Sequence, residues 1–71
     1  MVDSPFLAGC ERVHRHGDQR WRSADGERYY TWDALHEEVE VFDKRGRHRG
    51  VVDAFTGVLV KPAVKGRRID V

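Results

Sequence analysis

Apolar and polar positions over residues 19 to 71 alternate with a period of two in short stretches, and a glycine-bearing turn interrupts them roughly every ten residues. Val, Tyr, Trp, Phe and Thr dominate these stretches, which predicts an antiparallel β-sheet of about five strands. The strands are expected over 19–23, 27–32, 37–43, 47–52 and 58–61, with a short further one over 67–71. Asp25-Gly26 predicts a type I′ corner, and Asp43-Lys44-Arg45-Gly46 predicts a type I turn closed by a left-handed glycine. Residues 53–57 form the next corner, with Phe55 expected to pack beneath it. Pro62 ends the strand that follows, because it has no N–H for the ladder. Residues 1–18 lack this texture: Pro5 and Gly9 break it, and Phe6, Leu7 and Val13 are scattered. They read as an N-terminal arm with room for one helical turn around 7–13, ahead of a domain over 19–71.

Alternation within 37–43 sends Val39 and Val41 to the core and leaves His36, Glu38, Glu40 and Phe42 in one row on the other face. A helix through this stretch would also stack His36 on Glu40, but the β-branched content and flanking turns favour a strand. Tyr30 and Trp32 share one face of the preceding strand, Tyr29 and Thr31 the other. In so small a chain most of the rings must be core, leaving one or two free to stack on bases.

Length changes this picture by confining it. Seventy-one residues make one domain with a thin core, so any site lies at the surface. No apolar run approaches the ~20 residues that span a bilayer, and no charged-then-apolar leader opens the chain, so neither a membrane span nor an anchor is expected. The single cysteine, Cys10, forms no internal disulfide. A net charge of +1 hides an asymmetry: residues 1–43 hold five Lys/Arg against ten Asp/Glu, and residues 44–71 hold eight against two. A basic half is the footprint of a polyanion partner, although two oppositely charged faces of one domain would look the same.

Four carboxylates, Asp33, Glu37, Glu38 and Glu40, crowd one imidazole in the segment from Asp33 to Glu40. Like charges raise each other's proton affinity and a neighbouring carboxylate favours the imidazolium, which suits acid–base chemistry near neutral pH. On a flat strand the ends of the His36–Glu40 row lie ~13 Å apart, so both reach one phosphate only if the sheet is strongly twisted or bulged. RNA cleavage needs no metal ion, cofactor or enzyme nucleophile, because the 2′-hydroxyl attacks the adjacent phosphorus. It does need a base, an acid for the leaving oxygen and a cation for the phosphate; Arg67, Arg68 and Lys65 supply candidate cations. Cys10, His14 and His16 have a spacing open to zinc, but without a second cysteine pair they read as a scattered arm, and no metal site is expected.

The string Tyr30-Thr31-Trp32-Asp33, then His36, Glu38 and Glu40, continues with Gly50-x-x-Asp53-x-x-Thr56-Gly57 and ends in Lys65-Gly66-Arg67-Arg68-Ile69. Over residues 19–71 this combined pattern resembles the C-terminal cytotoxic ribonuclease domain of the E-type colicins, also found in related bacteriocins and contact-dependent toxins. The resemblance implies a strongly twisted antiparallel sheet and a metal-independent endoribonuclease that cuts small-subunit ribosomal RNA in the decoding site, stopping translation. It implies Glu40 as general base, His36 as general acid, Asp33 orienting the imidazole and Arg67 stabilising the phosphorane, with Arg68 as the alternative clamp. Glu38, Tyr30, Trp32, Lys65 and Arg68 would be auxiliary or RNA-binding. It further implies a secreted or delivered toxin, monomeric when free, acting in the cytoplasm of a target bacterium, and an acidic immunity protein in the producing cell. Two other readings stay open: a non-enzymatic β-domain binding RNA or protein, and an mRNA-cleaving toxin of a toxin–antitoxin pair.

Overall fold

A computed structural model describes residues 4–15 and 18–71. A single helical turn, α1 (Pro5–Ala8), precedes six strands: β1 (Glu11–Arg15), β2 (Asp18–Arg22), β3 (Arg28–Asp33), β4 (Glu38–Asp43), β5 (His48–Asp53) and β6 (Leu59–Pro62). All neighbours pair antiparallel, in the order β1-β2-β3-β4-β5-β6. The mainly β fold is therefore the one the alternation predicts, with β1 added at the edge. Only Val13 in that strand is apolar, so its alternation is invisible in sequence; pairing with β2 from Glu11↔Arg22 to Arg15↔Asp18 supplies its order. Among the described residues no helix is long and apolar enough to cross a membrane.

Six strands at ~4.8 Å spacing laid flat would make a slab about 24 Å wide and roughly 10 Å thick. The molecule instead measures 25 × 24 × 24 Å, so the sheet curls on itself. Register shifts between Val41 and Phe42 and between Val51 and Val52 supply local bends. Trp21, Tyr30, Val39, Val41 and Val52 line the enclosed face, and Leu7 of α1 plugs it with 2% of its surface exposed. Ser4 fixes the plug: its hydroxyl accepts from the Leu7 N–H (3.1 Å) and donates to the Ala54 carbonyl (2.6 Å), while the Phe6 N–H donates to the same carbonyl. The Phe6 ring meets Tyr30 edge-on at 5.1 Å. Gly57 has φ 74°, and a Cβ there would lie 2.6 Å from the Phe6 ring, so this turn admits only glycine.

Aspartates at intervals of ten end three successive strands. Asp33, Asp43 and Asp53 each turn an Oδ1 back to accept N–H groups of the following turn: Leu35 and His36, Arg45 and Arg47, Phe55 and Thr56. Each carboxyl is held below its ordinary pKa, Asp33 chiefly by the His36 side chain, Asp43 and Asp53 chiefly by these backbone N–H bonds.

Four local expectations change. Asp25 keeps a negative φ and only Gly26 is left-handed (φ 73°); the Gly26 N–H bonds the Ser23 carbonyl, so a longer turn replaces the type I′ corner. Phe55 is 60% exposed rather than packed beneath its turn. Phe42 is buried at 2%, covered edge-on by the His48 ring at 5.2 Å. The segment over 67–71 forms only one bridge, Arg47↔Arg68, backed by the His48 N–H on the Arg67 carbonyl and the Ile69 N–H on the Gly46 carbonyl. Gly46, with φ 85°, permits that close approach: a Cβ there would lie 2.3 Å from the Ile69 carbonyl oxygen.

Candidate active site

Glu38 and Glu40 project from the outer face of β4, opposite the face that carries Val39 and Val41. Asp33, at the end of β3, stands across the ladder from Glu38. His36 is not on β4, as the predicted row required, but in the β3–β4 turn. The Asp33 carboxylate gathers the Leu35 and His36 N–H groups, and Glu37 takes a left-handed φ of 54°, which stops the strand from extending backwards. The turn folds the imidazole back to the sheet: His36 Nδ1 lies 2.8 Å from Asp33 Oδ2. That contact leaves Nε2 as the outward nitrogen of a half-exposed ring.

Arg67 reaches in from the C-terminal segment and donates from Nη1 to Glu40 Oε1 at 2.5 Å, and Lys61 of β6 donates to Glu38 Oε1 at 2.8 Å. Arg67, not Arg68, is therefore the cation on Glu40. Asp33, His36, Glu38, Glu40, Lys61 and Arg67 ring one open hollow of about 420 Å³, floored by Val51. His36 thus lines the same hollow as Glu40 by way of the turn, not as part of one row along a strand.

His48 completes the surroundings of Glu40 and was missed in the sequence. Its side chain is fully buried, and Nδ1 accepts the Val64 N–H at 2.9 Å, so the neutral ring carries its proton on Nε2. That nitrogen lies 3.4 Å from Glu40 Oε1, and among the described residues it has no closer hydrogen-bond partner. Burial pushes the His48 pKa down and Arg67 adds to this, against the opposing pull of Glu40. The one available signal was His48's place in Arg-Gly-Arg-His-Arg-Gly, a polar ring among cations at a strand position facing Phe42.

Other expected site residues fall elsewhere. Tyr30 is 6% exposed on the enclosed face, where burial raises its phenol pKa, so it offers no ring to a base in the hollow. Trp32 shares that face and lines a separate hollow beneath α1 with Trp21 and Ala34. Lys65 and Arg68 line a basic groove that begins at Arg67. Asp33, His36 and Glu38 offer ligand atoms within 4.8 Å of one another, a spacing open to a divalent ion, but the Lys61 ammonium already occupies Glu38. Of the cysteine–histidine spacing, Cys10 is half-buried with Sγ near the Phe6 carbonyl (3.7 Å), and burial raises its thiol pKa; His14 is exposed and His16 lies outside the described residues.

The sequence profile of the family described as Cytotoxic matches residues 11–70. The chain belongs to the cytotoxic C-terminal domain family of the E-type colicins. It is a toxin domain, and the match begins at β1, so the family region takes in the edge strand as well as β2 to β6. A comparison with curated proteins finds no match.

Proposed function

We propose that this toxin domain is a metal-independent endoribonuclease that cleaves small-subunit ribosomal RNA in the decoding site and so stops translation. The observation that carries the reading is the gathering of an imidazole–carboxylate pair, a second carboxylate and a guanidinium around one open hollow. Glu40 takes the proton of the 2′-hydroxyl as that oxygen attacks phosphorus. The P–O5′ bond breaks as the 2′-O–P bond forms, and His36, in its imidazolium form, gives its Nε2 proton to the departing 5′-oxygen. The products are a 2′,3′-cyclic phosphate and a 5′-hydroxyl. Asp33 holds the ring by Nδ1 and balances its charge.

Arg67 has two partners in turn. Without substrate it holds Glu40; an incoming phosphate offers its planar fork a second anion and leaves the Glu40 oxygen to the 2′-hydroxyl. As negative charge builds on the phosphorane, Arg67 and Lys61 stand beside it. The His48 Nε2–H, aimed at Glu40 from a buried site, keeps that carboxylate in place. A producing cell would protect itself with an acidic immunity protein over the basic half of the domain.

The test is incubation of the purified domain with intact bacterial ribosomes in the presence of a chelator, reading the RNA on a gel. One discrete small fragment from the 3′ end of the small-subunit RNA, absent with His36→Ala, is expected. Uncut ribosomal RNA with degraded message would point instead to an mRNA-cleaving toxin. RNA binding that persists in Glu40→Gln, with no product from the wild type, would point to a non-enzymatic binder.

A further inference from the structure

The hollow around Glu40 does not end at Arg67. That residue also lines a second groove, of about 380 Å³, together with Arg47, Arg49, Lys65 and Arg68, and Arg68 in turn borders a third hollow that reaches Arg45. The backbone bridge Arg47↔Arg68 sets these cations side by side, and Arg49 is exposed two residues beyond Arg47, with the buried His48 between them. All of them are exposed. Other cations have carboxylate partners, Lys44 with Glu27, Lys61 with Glu38 and Arg67 with Glu40, whereas Arg45, Arg47, Arg49, Lys65 and Arg68 hold no side-chain ion pair among the described residues. Asp43 and Asp70 are the nearby acids. Asp43 feels Arg47 and Arg49, but one of its oxygens is committed to the backbone N–H groups of Arg45 and Arg47.

We infer that this track holds the RNA strand on the 5′ side of the scissile phosphate. The inference rests on the roles proposed above, because they fix a direction. Glu40 is the base for the 2′-hydroxyl, which belongs to the nucleotide 5′ of the broken bond, and His36 is the acid for the oxygen on the 3′ side. In-line displacement puts those two oxygens on opposite sides of phosphorus. Within the hollow, His36 groups with Asp33 and Glu38, whereas Glu40 groups with Arg67 and His48 further along β4. The basic groove opens from the Glu40 and Arg67 end. A strand that presents its 2′-hydroxyl to Glu40 therefore runs its upstream phosphates over Arg67, Arg68, Arg47 and Arg49. The cyclic-phosphate product is the fragment the track retains.

The experiment compares two sets of synthetic oligoribonucleotides built around the cleavage site mapped on ribosomes: one extended by several nucleotides on the 5′ side, the other on the 3′ side. Rates are measured across a salt series for the wild type and for Arg47→Gln/Arg49→Gln, a change at two exposed positions, with thermal unfolding of both proteins as the check on folding. The double variant is expected to lose about tenfold or more in kcat/KM on 5′-extended RNA, and severalfold less on 3′-extended RNA. The salt dependence on the 5′-extended set should also flatten by about one to two in the log–log slope. Equal losses on both sets, a larger loss on the 3′ set or no loss would overturn the inference. So would a variant that cuts all RNA normally and has lost only its grip on an acidic protein. A wild type that cuts neither oligonucleotides nor ribosomes fails differently, because it removes the ribonuclease reading itself.

Discussion

The two faces of the curled sheet use the same strands for opposite ends. On the enclosed face, Trp21, Tyr30, Val39 and Val41 lose nearly all their surface to one another and to Leu7. On the outer face, the residues between them in sequence (Glu38, Glu40 and, at the strand ends, Asp33 and Asp53) are tied into ion pairs and turn caps. Apolar packing fills one side and the proposed chemistry lies on the other, one residue apart along β4. The histidines repeat the contrast: His36 is half-exposed on a turn with a carboxylate partner, and His48 is buried with a backbone partner. The proposed proton donor must be open to solvent, and only the first of the two rings is.

That division can be broken from either side. The largest effect belongs to the outer face: His36→Ala or Glu40→Gln should lower the rate of ribosomal RNA cleavage by about 10²–10⁴-fold, with thermal unfolding close to that of the wild type. A parallel collapse of folding would show that the faces are not separable. On the enclosed face, Trp21→Ala should cost about 3–5 kcal/mol in urea denaturation. Its residual activity should follow the folded fraction rather than fall by a separate factor.

His48 sits where the two faces meet, and its loss should register in both measurements. His48→Ala removes the acceptor of the Val64 N–H, which costs about 1–3 kcal/mol, and it loosens Glu40 as well. Because its folded pKa is depressed, the stability it contributes is present above the unfolded value of ~6.5 and is lost as pH falls through the folded value. His48→Gln should flatten the fall in melting temperature over that range; an unchanged pH profile would count against a neutral, buried ring. The smallest effect concerns the turn aspartates. Their depressed pKa values give stability that is present above ~3.9 and is lost as pH falls further, so Asp53→Ala should shallow the acid limb of the melting-temperature curve. Asp53→Asn, which can still cap the turn, should lower the melting temperature less than Asp53→Ala does.

Much of this was legible along the chain because it is local. Strand alternation separated Val39 and Val41 from Glu38 and Glu40, and the turn at Asp43 to Gly46 has the predicted 4→1 bond, with Gly46 at φ 85°. The motif string pointed to Asp33, His36, Glu40 and Arg67, and the fold brings these four into one hollow. What could not be read depended on neighbours distant in sequence. β1 is a strand because β2 offers it a ladder, not because of its own five residues. Phe42 is buried with the His48 ring edge-on against it, and Tyr30 is taken up by the enclosed face, where Phe6 of α1 packs on it.

By itself, then, the order of residues determined which side chains alternate, where the chain turns and which chemical groups are present, since each of these follows from a period of two and from the φ preferences of Gly and Asp. Only the tertiary structure decided which of those groups meet. The approach of Arg67 to Glu40 across 27 positions, the burial of His48 between them and the run of arginines leading away from the hollow all come from the curl of the sheet and the docking of residues 67–69 on the β4–β5 hairpin. Contacts of that kind are set by the packing of the whole domain, which no short window of sequence encodes.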